Sequence, residues 1–201
     1  MQSRAIGESE GDVDQITRST CRPNSVRCRI GRPDRTVVRD LEEFAQRLSR
    51  LEDESAIRRV ILRYGPAADA GAVDRAASVW FEDGEYDWDA GKRPFADRAA
   101  IGAMLSDRGH QSLISTGVAH FAGPPLIRVS DSRATATALT YSLIMRRDAE
   151  HDRFYLWRVS VAHWELERRS GEWGVHKRTN RLLDETGAGR MLLGASVGEF
   201  F

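Results

Sequence analysis

Past Val118 the apolar side chains recur at every second position, in runs over residues 118–121, 126–129, 134–147, 153–168 and 173–182. A period of two marks strands whose successive side chains point to opposite faces. Ser130, Asp131 and Ser132 form one turn and Ser170, Gly171 and Glu172 another. Strands joined by such short turns pair antiparallel, so the second half of the chain reads as a long meander. Whatever precedes it must supply the cover for one face of that sheet.

The preceding segment has the helical period. Leu41, Phe44, Ala45, Leu48 and Leu51 make one apolar stripe, and Ile57, Val60, Ile61 and Tyr64 continue it after a charged break, as one long or two-part amphipathic helix. Pro66 is expected to interrupt the helix, because proline has no amide donor and crowds the turn before it, and Gly71 is placed to cap it. A second helix is predicted over 73–81, burying Ala76, Ala77, Trp80 and Phe81. Asp83 and Gly84 then turn the chain into a strand over 85–89, with Tyr86 and Trp88 on one face and Glu85, Asp87 and Asp89 on the other. Asp97 is a good N-cap for a third helix carrying Ile101, Met104 and Leu105. Helices followed by a meander define an α+β class. A strongly bent, mostly antiparallel sheet wrapped around the long helix encloses a cone-shaped pocket. The domain is expected over 39–186, between a flexible leader at 1–38, poor in large apolar side chains, and a C-terminal tail at 187–201.

Composition excludes several functions. Thirty basic and thirty acidic residues cancel, which argues against a nucleic-acid partner, since phosphate recognition needs a basic footprint. The excess of arginine over lysine carries no functional weight, since the arginines are scattered among acids. No apolar run approaches the roughly 18 residues of a membrane span, and no apolar signal core opens the sequence, so a cytoplasmic protein without membrane contact is expected. Cys21 and Cys28 read as incidental thiols in the leader. No metal is expected: His163 with Glu165 comes nearest to ligand spacing, and two ligands are too few. No phosphate-binding glycine loop or dinucleotide fingerprint occurs, so cofactor-independent chemistry is expected.

The segments RRVILRYGPAADAGAVDRAASVWFEDGEYDW, GVAHF, HWELERRSGEW and HKRTNRLLD resemble the SnoaL-like branch of the nuclear transport factor 2-like superfamily over roughly residues 40–185. The pattern Tyr64-x4-Asp69-x-Gly71, followed by Trp80-Phe81 and Glu82-Asp83, carries most of the resemblance. It implies the cone fold and points to that branch's lyases: scytalone dehydratase, bile-acid 7α-dehydratase and hexachlorocyclohexane dehydrochlorinase. Their aspartate and histidine match Asp69 and His120, the tyrosine of the bile-acid enzyme matches Tyr64, and the arginine of the dehydrochlorinase matches Arg178. The chemistry is coherent with those roles. Histidine is the side chain whose pKa starts near neutral, as proton abstraction from carbon requires, and a carboxylate on its other ring nitrogen sets the tautomer. Tyr64 is then a donor to a developing enolate or departing hydroxyl, and Arg178 a holder of the leaving anion. The implied reaction is dehydration of a hydrophobic hydroxylated substrate such as a steroid or polyketide-derived ring, in a pocket lined from among Tyr86, Trp88, Phe121, Tyr141, Trp157 and Trp164. A homodimer or homotrimer is also implied, because exposed sheet faces in this fold usually pair.

Some residues resist this assignment. Tyr64 and Asp69 lie five positions apart and share a face only if Pro66 kinks the helix. Strand parity sets Arg178 with His176 and Asn180, opposite Trp173 and Val175; if those two face the cone, Arg178 points to solvent or to a partner subunit. His163 either lines the pocket as a second donor or sits outside the sheet, since hairpin counting leaves its face open by one residue. His110 and His151 are expected in surface loops. Two alternatives stand beside the lyase. A ketosteroid-isomerase-like enzyme would use Tyr64 with Asp89 as base. A non-catalytic small subunit of a ring-hydroxylating dioxygenase would have its cone filled.

Overall fold

The computed structural model describes residues 35–88 and 92–201. Most of the leader, with Cys21 and Cys28, and the isomerase aspartate Asp89 lie outside the described residues. The elements run α1 (Arg35–Asp69), α2 (Val73–Ala77), β1 (Trp80–Asp87), α3 (Arg98–Ser106), α4 (Arg108–Ser115), β2 (Val118–Ala122), β3 (Leu126–Val129), β4 (Thr135–Asp148), β5 (Arg153–Arg169), β6 (Glu172–Leu182) and α5 (Ala188–Val197). One open sheet is ordered β1-β6-β5-β4-β2, with β3 beside β2 along the other half of β4. Among the described residues only the β1–β6 pairing is parallel. Bulges in β4–β5 after Ile144 and in β5–β6 after Glu165 break the regular register, and such bulges bend and coil long strands. The expected α+β cone is the fold.

Helix α1, the second helix and the C-terminal tail depart from expectation, and α4 is a helix not foreseen from the sequence. Helix α1 runs through Pro66 unbroken and stops where Gly71, at φ +66°, takes the left-handed conformation. There the amide of Ala72 donates to the carbonyl of Ala67 and that of Gly71 to Ala68, which closes the helix end. The two apolar stripes of α1 do not join. Ile57, Val60, Ile61, Tyr64 and Ala68 enter the core, whereas Leu41, Phe44, Leu48 and Leu51 are exposed. The second helix ends at Ala77, and Trp80 and Phe81 open strand β1 instead, since parallel pairing with β6 extends that strand backwards across its bulge. Finally, the C-terminal tail contains α5, which packs on β5 and β6. Among the described residues no helix is long and apolar enough to cross a membrane.

The core lies between the second half of α1, with α2 and α3, and the concave face of the sheet. Trp80, Trp164, Leu166, Val175, Ile57, Ile61 and Ile101 are almost fully buried there. Asp53 ties the rim together. Its buried carboxylate accepts from Arg133 Nε at 2.6 Å, Trp173 Nε1 at 3.1 Å and Arg168 Nη1 at 3.3 Å. Burial alone raises its pKa, but the hydrogen bonds of Arg133 and Trp173 and the charges of both arginines overcome this and hold it below the usual aspartate value. A depressed folded-state pKa contributes stability above the unfolded value, near 3.9, that is lost as the pH falls through the folded one. Asp53→Asn is therefore expected to cost about 1–3 kcal/mol at neutral pH. The gap between variant and wild type should close in denaturant titrations as the pH is taken from neutral to below about 4.

Candidate active site

Helix α1 meets strand β2 at Gly65. A Cβ built there falls 2.2 Å from the backbone oxygen of His120, so glycine alone lets the helix lie this close to the strand. One turn later Asp69 reaches the same residue twice. Its Oδ2 accepts the backbone N–H of His120 at 2.8 Å, and its Oδ1 lies 2.5 Å from the ring Nδ1. The backbone bond fixes the carboxylate, and the carboxylate keeps a proton on Nδ1. Nε2, without a protein partner among the described residues, is left as the basic nitrogen. Gly65→Ala is expected to push α1 off β2, costing about 1–3 kcal/mol from overpacking. It should also broaden or shift the ring resonances of His120 in NMR, since the dyad depends on that approach.

His120 lines a cavity of about 240 Å³ inside the cone. The opposite sides of its wall come from Tyr64, Tyr86 and Trp88, from Ser142 and Ile144 on β4, and from Arg178, Asn180 and Leu182 on β6. The cone is thus not filled. Asp69 is absent from the lining; it stands behind the histidine, so it has no need to share a helix face with Tyr64 and no kink is required.

Arg178 is buried, 3% exposed. The expected parity fails because Glu165 pairs with Lys177 while Leu166 pairs with Val175, leaving His176 as the extra residue of a bulge. One added residue flips the alternation, so Val175 and Arg178 both turn inward. The guanidinium sits 4.3 Å from the Trp164 ring centroid and 4.9 Å from those of Tyr64 and Tyr86. Nη2 donates to Ser142 Oγ at 3.3 Å, while Nε and Nη1 are buried without partners, and no carboxylate pairs with it among the described residues. Aromatic faces thus replace the counter-ion and leave donors for something else. Tyr64 is buried against the edge of Trp80. Burial, with Tyr86 next, raises its pKa well above the ordinary tyrosine value, and the opposing pull of Arg178 does not overcome them. It stays protonated and can act as a donor.

The other residues singled out from sequence divide. Tyr86, Trp88 and Phe121 border the cavity, as do Trp157 and Trp164. Tyr141 does not: it is 53% exposed, because Thr140 and Ser142 hold the inner face of β4 and Tyr141 alternates outward. His163 is likewise outside the cavity. Its neighbour Trp164 takes the core face of β5, and His163 Nε2 lies 3.5 Å from Glu199 just beyond α5. Glu165 brings it no metal site. Asp148, half-buried, and Glu150 and His151, both exposed, do come together at the β4–β5 turn away from the cavity, where Asp148 already accepts from His151.

His110 is the residue that sequence reasoning missed. Asp107 caps an unpredicted helix, α4, by accepting the Gly109 amide, and this turns His110 into the cavity with its ring centroid 5.8 Å from that of His120. Burial first, and the neighbouring imidazole second, lower its pKa, so it is neutral at pH 7. The one available signal was a second Asp cap directly after Ser106. Asn180, two positions beyond Arg178 on the same face, also lines the cavity with its Oδ1 unpartnered.

The SnoaL-like domain pattern matches residues 49–179, well over half of the chain. The chain belongs to the SnoaL-like family. A solved NTF2-like protein of cystatin-like fold from Novosphingobium aromaticivorans is 38% identical, with 81% of this chain and 99% of that one covered, at a TM-score of 0.71. More distant solved structures share the fold. A hexachlorocyclohexane dehydrochlorinase from Novosphingobium barchaimii is 20% identical over 68% of this chain and 90% of its own, at a TM-score of 0.58. A Novosphingobium aromaticivorans protein named for scytalone dehydratase is also 20% identical, over 67% and 87%, at 0.55. No curated protein matches the sequence. The SnoaL-like cone hosts unrelated reactions, so its chemistry must be argued from the site.

Proposed function

We propose that this SnoaL-like protein is a cofactor-independent lyase that removes water from a hydrophobic, hydroxylated carbonyl compound such as a steroid or a polyketide-derived ring. The observation that carries the reading is the double grip of Asp69 on His120, which sets one nitrogen of the ring and leaves the other to a cavity holding Tyr64 and Arg178. His120 Nε2 takes the proton from the carbon beside the carbonyl. The C–H electron pair becomes the new C=C bond as the neighbouring C–O bond breaks, and the oxygen leaves with its own pair. Arg178 meets the negative charge on that oxygen, and the Tyr64 hydroxyl gives it the proton that completes a molecule of water. The proton held on His120 Nε2 returns to the tyrosinate through that water before the next turnover. All groups needed for these steps are side chains of this chain. The aromatic walls suit a ring substrate and exclude bulk water. The dehydrochlorinase-type and scytalone-dehydratase-type folds of the distant relatives fit the same class of elimination.

An isomerase is the second reading, because a base and an anion-stabilising pair on one cavity also serve a double-bond shift, with His120 in the place foreseen for Asp89. The unfilled cone weighs against a purely scaffolding subunit. The test is a panel of fused-ring β-hydroxyketones and β,γ-unsaturated ketones, followed by enone absorbance and mass spectrometry. Enone with loss of one water supports the lyase, and enone at unchanged mass supports the isomerase. Neither product, and no exchange of the α-proton in deuterated water, would sink both.

A further inference from the structure

The first half of α1 carries a seam that the domain does not use. Val37, Leu41, Phe44, Leu48 and Leu51 follow one another at steps of four, three, four and three, and they are between 46% and 65% exposed. That spacing is the a/d pattern of a coiled coil, with Leu41 and Leu48 at a, and Val37, Phe44 and Leu51 at d. At 3.6 residues per turn, the seam lies roughly 170° around the helix from the stripe of Ile57, Val60, Ile61, Tyr64 and Ala68 that enters the core. The seam therefore faces directly away from its own domain, and two copies can join along it with their domains on opposite sides.

The flanking charges select the occupant and its direction. In a parallel pair each g residue meets the e residue five positions on in the other helix, which sets Arg47 against Glu52 of the second copy, twice by symmetry. In an antiparallel pair g meets g, which sets Arg47 against Arg47 and Asp40 against Glu54. The geometry points to a parallel, two-stranded self-association through residues 37–51, ended by Ser55 and Arg58 at the next a and d positions. Two heptads bury little area, so the dimer is reversible and depends on protein concentration. This surface is separate from the sheet faces through which oligomers were expected from the resemblance.

The test is sedimentation equilibrium on the full chain, up to about 0.5 mM, a concentration that captures even weak dimers. The expected result is a mass rising from 22.6 kDa toward twice that value. Phe44→Glu with Leu48→Glu should weaken association at least about tenfold at unchanged circular dichroism, as both side chains are exposed in the single copy. Arg47→Glu should also weaken it, and adding Glu52→Arg should restore it. A wild type that stays monomeric overturns the proposal. A dimer indifferent to the double glutamate variant overturns it in favour of a sheet-face interface, and a failed charge swap overturns the parallel register. Monomers that co-sediment with phosphatidylserine vesicles through Phe44 and Leu48 overturn it in favour of a membrane-surface helix.

Discussion

Replacing His120 by alanine is expected to reduce turnover by about 10²–10⁴-fold, the range that a positioned acid–base group contributes, while the melting temperature stays close to that of wild type. The fold should survive because Asp69 keeps part of its grip. Its Oδ2 accepts the backbone N–H of residue 120, which alanine retains, and only the bond to Nδ1 disappears. Single-turnover kinetics on whichever panel compound is dehydrated reads the effect, with thermal unfolding alongside it. Activity within a few-fold of wild type in a folded variant would remove the dyad from the mechanism.

Arg178→Met separates function from stability. A buried guanidinium without a carboxylate forfeits hydration that two of its nitrogens do not recover, and breaking no ion pair, its removal leaves no opposite charge stranded. What methionine loses is the stacking on Trp164, Tyr64 and Tyr86, worth about 0.5–2 kcal/mol per cation–π contact; what it gains is relief from desolvation and a flexible apolar filling of the same cage. The melting temperature is accordingly expected to stay within about 4 °C of wild type or to rise, with kcat falling by about 10²–10³-fold. A collapse in stability would assign Arg178 to the core instead. Unchanged kcat would sink its role at the leaving oxygen.

Much of this protein could be read along the chain. The strands from Val118 onward fall within one or two residues of the observed ones, because alternation reports directly which face is buried. Asp97 caps α3 as expected, its side chain accepting the Ala100 amide at 2.6 Å. The pairing of Asp69 with His120 was legible only through resemblance, since 51 residues separate them and no local pattern joins a helix end to an edge strand.

The errors have one physical origin. Arg178 faces inward through a bulge at His176, and bulges are set by how two strands coil around each other, which leaves no mark in one strand's alternation. The two stripes of α1 look continuous in sequence, yet they lie on opposite sides of the helix, and only packing against the sheet decides which one becomes core. His110 becomes a cavity residue because α4 is short and lacks a deeply buried side chain, so the sequence alone does not mark which of its faces turns to the cavity. By itself the sequence determined the strands from Val118 onward, the first and third helices, the α+β class and the SnoaL-like family, all of which rest on local spacing. Which face each bent strand turns to the cavity, and so which residues surround a substrate, was decided by the tertiary structure, because register and curvature are properties of paired strands and not of one.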